Sequence, residues 1–184
     1  MKKKIIIAIS IIIGVTIVYY GYGLATTKSH SPAAKATYSN NGLNININYC
    51  QPYKKGRLIF GEASQKALQP YGKYWRVGAN EATTFDVNKD ILVNGQELKA
   101  GKYQLYSVPG KDKWEIYFNS EWDRWGAMEA NHKTDVLKTE VAADNNAAFE
   151  EQLIVSFDSA DSVGKTNLNI HWDKTLIKIP LSVK

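Results

Sequence analysis

From Leu43 to Cys50 the chain reads Leu-Asn-Ile-Asn-Ile-Asn-Tyr-Cys. Leu43, Ile45, Ile47 and Tyr49 fall on one side, with Asn44, Asn46, Asn48 and Cys50 on the other. A period of two sends successive side chains to opposite faces, which fits a strand with one buried face and does not fit a helix. Asparagine is a poor strand former, so burial of the apolar side must drive the pairing. The same alternation returns in Thr83-Phe85-Val87, Trp114-Ile116-Phe118, Leu153-Val155-Phe157, Leu168-Ile170-Trp172 and Ile177-Ile179-Leu181-Val183. Asn94-Gly95 and Pro109–Asp112 supply hairpin turns between such runs. Tyr74–Val77 also reads as a strand, and short helices are expected at most near 62–69 and 121–130. About ten strands of this kind predict an all-β fold. Two half-apolar faces must then bury each other, giving an antiparallel β-sandwich over 38–184, with a distorted β-barrel as the alternative.

One N-terminal segment stands apart. Residues 5–25 carry no charged side chain. As a helix they reach about 30 Å, the thickness of a bilayer's hydrocarbon core. Lys2, Lys3 and Lys4 precede them, in a basic start spanning 1–4, and Tyr19, Tyr20 and Tyr22 cluster at the far end. That asymmetry predicts a transmembrane anchor with its start in the cytoplasm and the domain outside. A cleaved signal peptide is the alternative, since Gly23 and Ala25 offer small residues for cleavage. Either reading puts the domain in the periplasm or outside the cell, anchored to the inner membrane or secreted. Residues 26–37 are small and polar with a single proline and read as a linker.

The formal charge of +5 follows that segment. Removing the three leading lysines from 23 Lys+Arg leaves 20 against 18 Asp+Glu. So small an excess, with no basic stripe interleaved with aromatics, argues against a nucleic-acid partner. One cysteine, Cys50, excludes an internal disulfide and a multi-cysteine metal site. His30, His132 and His171 stand far apart, so no metal is expected. Neither a P-loop nor a dinucleotide fingerprint is present, and no cofactor is implied.

Between Tyr49 and Thr84 lie six basic residues, two carboxylates and four glycines. Lys55-Gly-Arg-Leu-Ile-Phe-Gly61 and Pro70-Tyr-Gly-Lys-Tyr-Trp-Arg-Val-Gly-Ala-Asn-Glu-Ala-Thr83 resemble the motifs of an uncharacterised bacterial envelope family, a domain of unknown function. Leu98–Tyr103 and Trp125-Gly126 continue the resemblance, which covers roughly residues 31–184. Cys50 departs from it, standing where the family more often has serine. The resemblance implies an extracytoplasmic location and an all-β fold, and implies no activity, cofactor or catalytic residue.

Lys55, Arg57, Arg76, Asn80 and Glu81 form the candidate ligand-binding set. Arg76 and Trp75 must project to opposite faces if 74–77 is a strand, and a guanidinium offers a rigid fork of donors for an anionic or polyhydroxy group. Glu81 lies five residues on, past a turn, where it returns alongside Arg76. The competing reading is an internal Arg–Glu pair that braces the turn. Trp122 and Trp125 in a loop are candidates for aromatic contact, or for covering one end of the core. No catalytic residue is assigned, and whether the protein is an enzyme stays open. The first functional reading is a membrane-tethered extracytoplasmic binding or interaction module for a small molecule, glycan or protein. The alternatives are an envelope hydrolase acting on a glycan or ester with Glu81 as acid/base, and a purely structural motif.

Overall fold

A computed structural model describes residues 2–161 and 164–184, leaving aside the side chains of 2–8, 24, 25 and 27. The chain opens with helix α1 (Lys2–His30). Then come β1 (Ala33–Asn40), β2 (Leu43–Cys50), β3 (Phe60–Gly61), β4 (Gln69–Pro70), β5 (Thr84–Val87), β6 (Ile91–Val93) and β7 (Gln96–Leu98). β8 (Gly101–Val108), β9 (Lys113–Asn119), β10 (Asp135–Asp144), β11 (Glu150–Phe157), β12 (Thr166–Asp173) and β13 (Thr175–Val183) complete the fold.

Eleven strands form one antiparallel sheet in the order β1-β2-β5-β8-β9-β10-β13-β12-β11, with β6 and β7 attached beside β13. The fold turns over at β10. Asp135–Ala142 pair with β9, whereas Ala143 and Asp144 pair with β13. The two halves therefore face each other. Their inner faces join in one core that includes Ile47, Phe85, Leu105, Ile116, Ile170 and Ile177, all at most 1% exposed. The expected sandwich is thus an open sheet folded on itself. The barrel is not adopted, because β1 and β11 meet without pairing along their lengths.

Both predicted hairpins form. β6 and β7 pair around Asn94-Gly95, whose φ values of 46° and 80° suit a type I′ turn. Four aromatic rings fill the end of the core nearest the motif region. Phe60 packs edge-on against Trp75, Trp114 and Trp172 at ring-centre distances of 5.2, 4.6 and 6.1 Å.

Three local expectations are corrected. Residues 62–69 do not form an α-helix; Ala63–Gln65 make one 3-10 turn, closed by reciprocal bonds between Glu62 and Gln65. Residues 121–130 are loop, followed by a second 3-10 turn at His132–Thr134. Tyr74–Val77 make only one bridge, in which the Trp75 and Ser107 backbones exchange hydrogen bonds of 2.8 and 2.9 Å. Pro70 and Gly72 before it and the left-handed backbone of Val77 at its end keep that stretch from extending along β8.

Residues 26–37, expected to be a linker, are taken up by the end of α1 and the start of β1. α1 continues to His30, with the Thr26 hydroxyl donating to the Tyr22 carbonyl and Ser29 to Thr26. Pro32 stops it, and β1 begins at Ala33 against β2 in full register. Small polar residues look the same in a linker and in an edge strand, because neither buries a broad apolar face.

Candidate functional site

The motif between Tyr49 and Thr84 covers the aromatic end of the core as a set of turns. Its first turn is tied down by the far half of the sheet. The Lys54 amide donates to the Glu151 carbonyl at 2.7 Å, and its ammonium meets the Asp173 carboxylate at 2.5 Å. The Lys55 amide donates to Glu151 Oε1 at 2.8 Å. Arg57 then closes the turn, its Nε donating to the Lys54 carbonyl at 2.9 Å and its Nη2 to the Tyr53 carbonyl.

The second turn, Arg76–Glu81, holds unusual backbone. Val77, fully buried, has φ of +53°, a left-handed conformation that costs a β-branched residue about 1–3 kcal/mol. The Thr83 hydroxyl donates to the Val77 carbonyl at 2.8 Å and fixes it there. Gly78 follows at φ +155°, so close to the Cys50 carbonyl that a Cβ would lie 3.0 Å away. Asn80 is again left-handed at +59°. The surrounding packing imposes this shape, and its product is a half-buried Arg76 facing away from Trp75.

Lys55, Arg57 and Arg76 line one cleft of about 240 Å³, together with His30, Ser31 and Gln69. Its remaining walls include Trp172, Leu68 and Pro52, and among the described residues no carboxylate lines it. Arg76 Nη1 donates to the Asn80 carbonyl at 3.2 Å, and among the described residues its other N–H groups have no protein acceptor. Neither arginine forms a salt bridge among the described residues. Burial lowers the pKa of the Arg76 guanidinium from its usual value, since desolvation disfavours the charged form. The arginine stays protonated because its ordinary value is so high. A group that fills the missing acceptor positions has to be anionic or rich in oxygen.

Glu81 does not join them. It turns to a neighbouring groove lined by Lys28, Tyr49, Cys50 and Lys102. There its carboxylate pairs with Lys28 of α1 at 2.8 Å, and the Cys50 thiol lies 3.5 Å from Oε2. The hydrogen bond from Lys28 holds the Glu81 carboxyl below the usual carboxylate range. The internal Arg76–Glu81 brace is therefore not formed, and the brace that does form runs from Glu81 to the helix. Asn80 serves the same joint, donating to the Ser31 carbonyl at 3.4 Å.

The Trp122–Gly126 loop backs onto this turn. Gly126 sits so close to Ala82 N, Glu81 C and Arg76 Cδ that a Cβ would lie within 2.7–2.8 Å of each. The Lys102 ammonium lies 3.7 Å from the centre of the Trp122 ring, while Trp125 is 45% exposed. Neither indole plugs the core.

A second polar assembly lies on the outer face of β8–β10. Tyr106 and Tyr117 stack as cross-strand partners, with ring centres 4.7 Å apart. The Tyr106 hydroxyl donates to the Asp135 carboxylate at 2.7–2.8 Å and lies 2.9 Å from His132 Nδ1. Asn119 adds its amide to the same carboxylate at 2.8 Å. Burial, then the Asp135 carboxylate, pushes the Tyr106 phenol far above its usual value.

Residues 9–30 form one helix long and apolar enough to cross a membrane. Among the described residues no group of three or more His, Cys, Asp or Glu is placed to hold a metal ion. The family model described as "Protein of unknown function (DUF2911)" matches residues 31–181. No curated protein and no solved structure matches the chain.

Proposed function

We propose, for a chain that belongs to the DUF2911 family, a role as a membrane-tethered extracytoplasmic binding module. Its cleft at Lys55, Arg57 and Arg76 takes an anionic group, a carboxylate or phosphate, from its ligand. The observation that carries the reading is the gathering of three cationic side chains around a hollow with no lining carboxylate among the described residues. A half-buried guanidinium with vacant donors gains most from an anion, because charge-assisted hydrogen bonds strengthen where water is excluded. Asn80 and Glu81 act at the rim by joining the turn to α1.

The hydrolase alternative draws less support. Glu81 is ionised by its partner Lys28, which suits a raised-pKa proton donor poorly. Among the described residues Glu81 is also the one carboxylate lining its groove, whereas glycoside hydrolysis needs two about 5–10 Å apart.

The test is calorimetric titration of the detergent-solubilised full chain with inorganic phosphate and citrate, beside Arg76→Gln and Arg57→Gln. Binding by the wild type, weakened about tenfold or more in Arg76→Gln, supports the reading. Absence of anion binding in the wild type, or full binding in both variants, overturns it.

A further inference from the structure

We infer that the anion is the phosphate headgroup of an anionic phospholipid in the membrane that α1 spans. This inference rests on the proposed function, both on α1 as a retained anchor and on the cleft as an anion site. The apolar run ends at Ala25, but the helix continues through the polar residues 26–30 to His30. Five more residues rise about 7–8 Å beyond the hydrocarbon edge. The headgroup layer occupies roughly 5–7 Å on each side of that core. His30 and Ser31 are themselves walls of the cleft, so the cleft opens at the depth of the lipid phosphates.

The joint keeps it there. Lys28 is paired with Glu81, Asn80 donates to the Ser31 carbonyl, and Lys55 Nζ lies 3.4 Å from His30 Nδ1. The Trp122–Gly126 loop belongs to the same end, since Gly126 packs directly on Arg76 and Glu81. Beside Gly126, Trp125 and Met128 are 45% and 55% exposed. Tryptophan favours the membrane interface, where its ring is half in apolar surroundings and its N–H is wet. A phosphodiester presents two unesterified oxygens, which match the Nε–Nη2 edge that Arg76 leaves without a protein acceptor among the described residues. Arg57, whose Nε and Nη2 already hold backbone carbonyls, adds charge beside it. Free phosphate offers the same oxygens, so the experiment separates the two sources.

The full chain is placed in nanodiscs of phosphatidylcholine alone, or of phosphatidylcholine mixed with phosphatidylglycerol. Thermal midpoint and amide hydrogen exchange over residues 53–58 and 75–79 are measured in both. Phosphatidylglycerol is expected to raise the midpoint and slow exchange in both segments, and Arg57→Gln/Arg76→Gln is expected to abolish the difference. Should that double variant not fold, the single variants and Lys55→Gln, an exposed side chain, take its place. An undiminished lipid effect in these variants puts the lipid elsewhere and overturns the inference. Protection by sodium phosphate in neutral nanodiscs, without any effect of phosphatidylglycerol, overturns the lipid source and leaves the anion cleft standing. Silence in both arms overturns both.

Discussion

The cleft at Arg57 and Arg76 and the Tyr106 cluster both gather chemically capable side chains over the same sheet, yet they end in opposite states. Around Tyr106 each donor finds an acceptor: the phenol and the Asn119 amide share the Asp135 carboxylate, and Asn119 also reaches the Asn131 carbonyl. Around Arg76, among the described residues, one N–H is used, and the side chain lines an open cleft. Hydrogen bonds that close on one another stabilise a fold, whereas donors held apart without acceptors cost stability and await something from outside. The difference teaches that richness in titratable residues marks a site less well than incomplete satisfaction does.

The largest expected effect breaks the closed cluster. Asp135→Ala strands a buried phenol and an amide together and should cost about 2–4 kcal/mol in denaturant unfolding. Gly126→Ala strikes the segment that serves both regions, since the same loop backs the cleft and leads to His132. Overpacking against backbone should cost about 1–3 kcal/mol and disturb exchange at 76–82.

The same contrast appears at high pH. Tyr106 has a folded pKa raised above its unfolded value near 10, so its contribution is whole below pH 10 and is lost as pH rises beyond it. Wild type should show a fall in midpoint above about pH 10 that Tyr106→Phe lessens. Arg76→Gln, in contrast, removes a desolvated charge with one partner and should change stability by less than about 1 kcal/mol. A large loss there would make the cleft a structural brace and erase the comparison.

Smallest is Glu81→Gln, because both members of the Lys28 pair are well exposed. Glu81 has a depressed folded pKa, so what it contributes is present above the ordinary carboxylate range and disappears as pH falls below it. Neutral-pH midpoints of wild type and Glu81→Gln should differ slightly and converge in acid.

The sandwich was legible because alternation such as Leu43–Tyr49 encodes a buried face residue by residue. The Asn94-Gly95 hairpin was legible because its left-handed φ values demand those residue types. Arg57 and Arg76 were identifiable as a pair of forks, but their shared cleft depends on a turn anchored to Glu151 and Asp173, nearly a hundred residues away or more. Glu81 went astray for a similar reason. Its partner, Lys28, lay in a segment read as linker, and no local pattern joins the two. The Tyr106 cluster does have a signal in the sequence. Tyr106 and Tyr117 occupy what alternation assigns as the solvent face of adjacent strands, and two large rings facing each other there imply a cover.

The joint between α1 and β1 is two residues long, Ser31 and Pro32. It spans about 7 Å at most, where a flexible linker over 26–37 would have wandered about 20 Å. If α1 is the retained anchor proposed above, such a leash keeps the domain from sampling the space above the bilayer. The domain would then ride the surface like a float, and whatever it meets would arrive by lateral diffusion or descend to that plane.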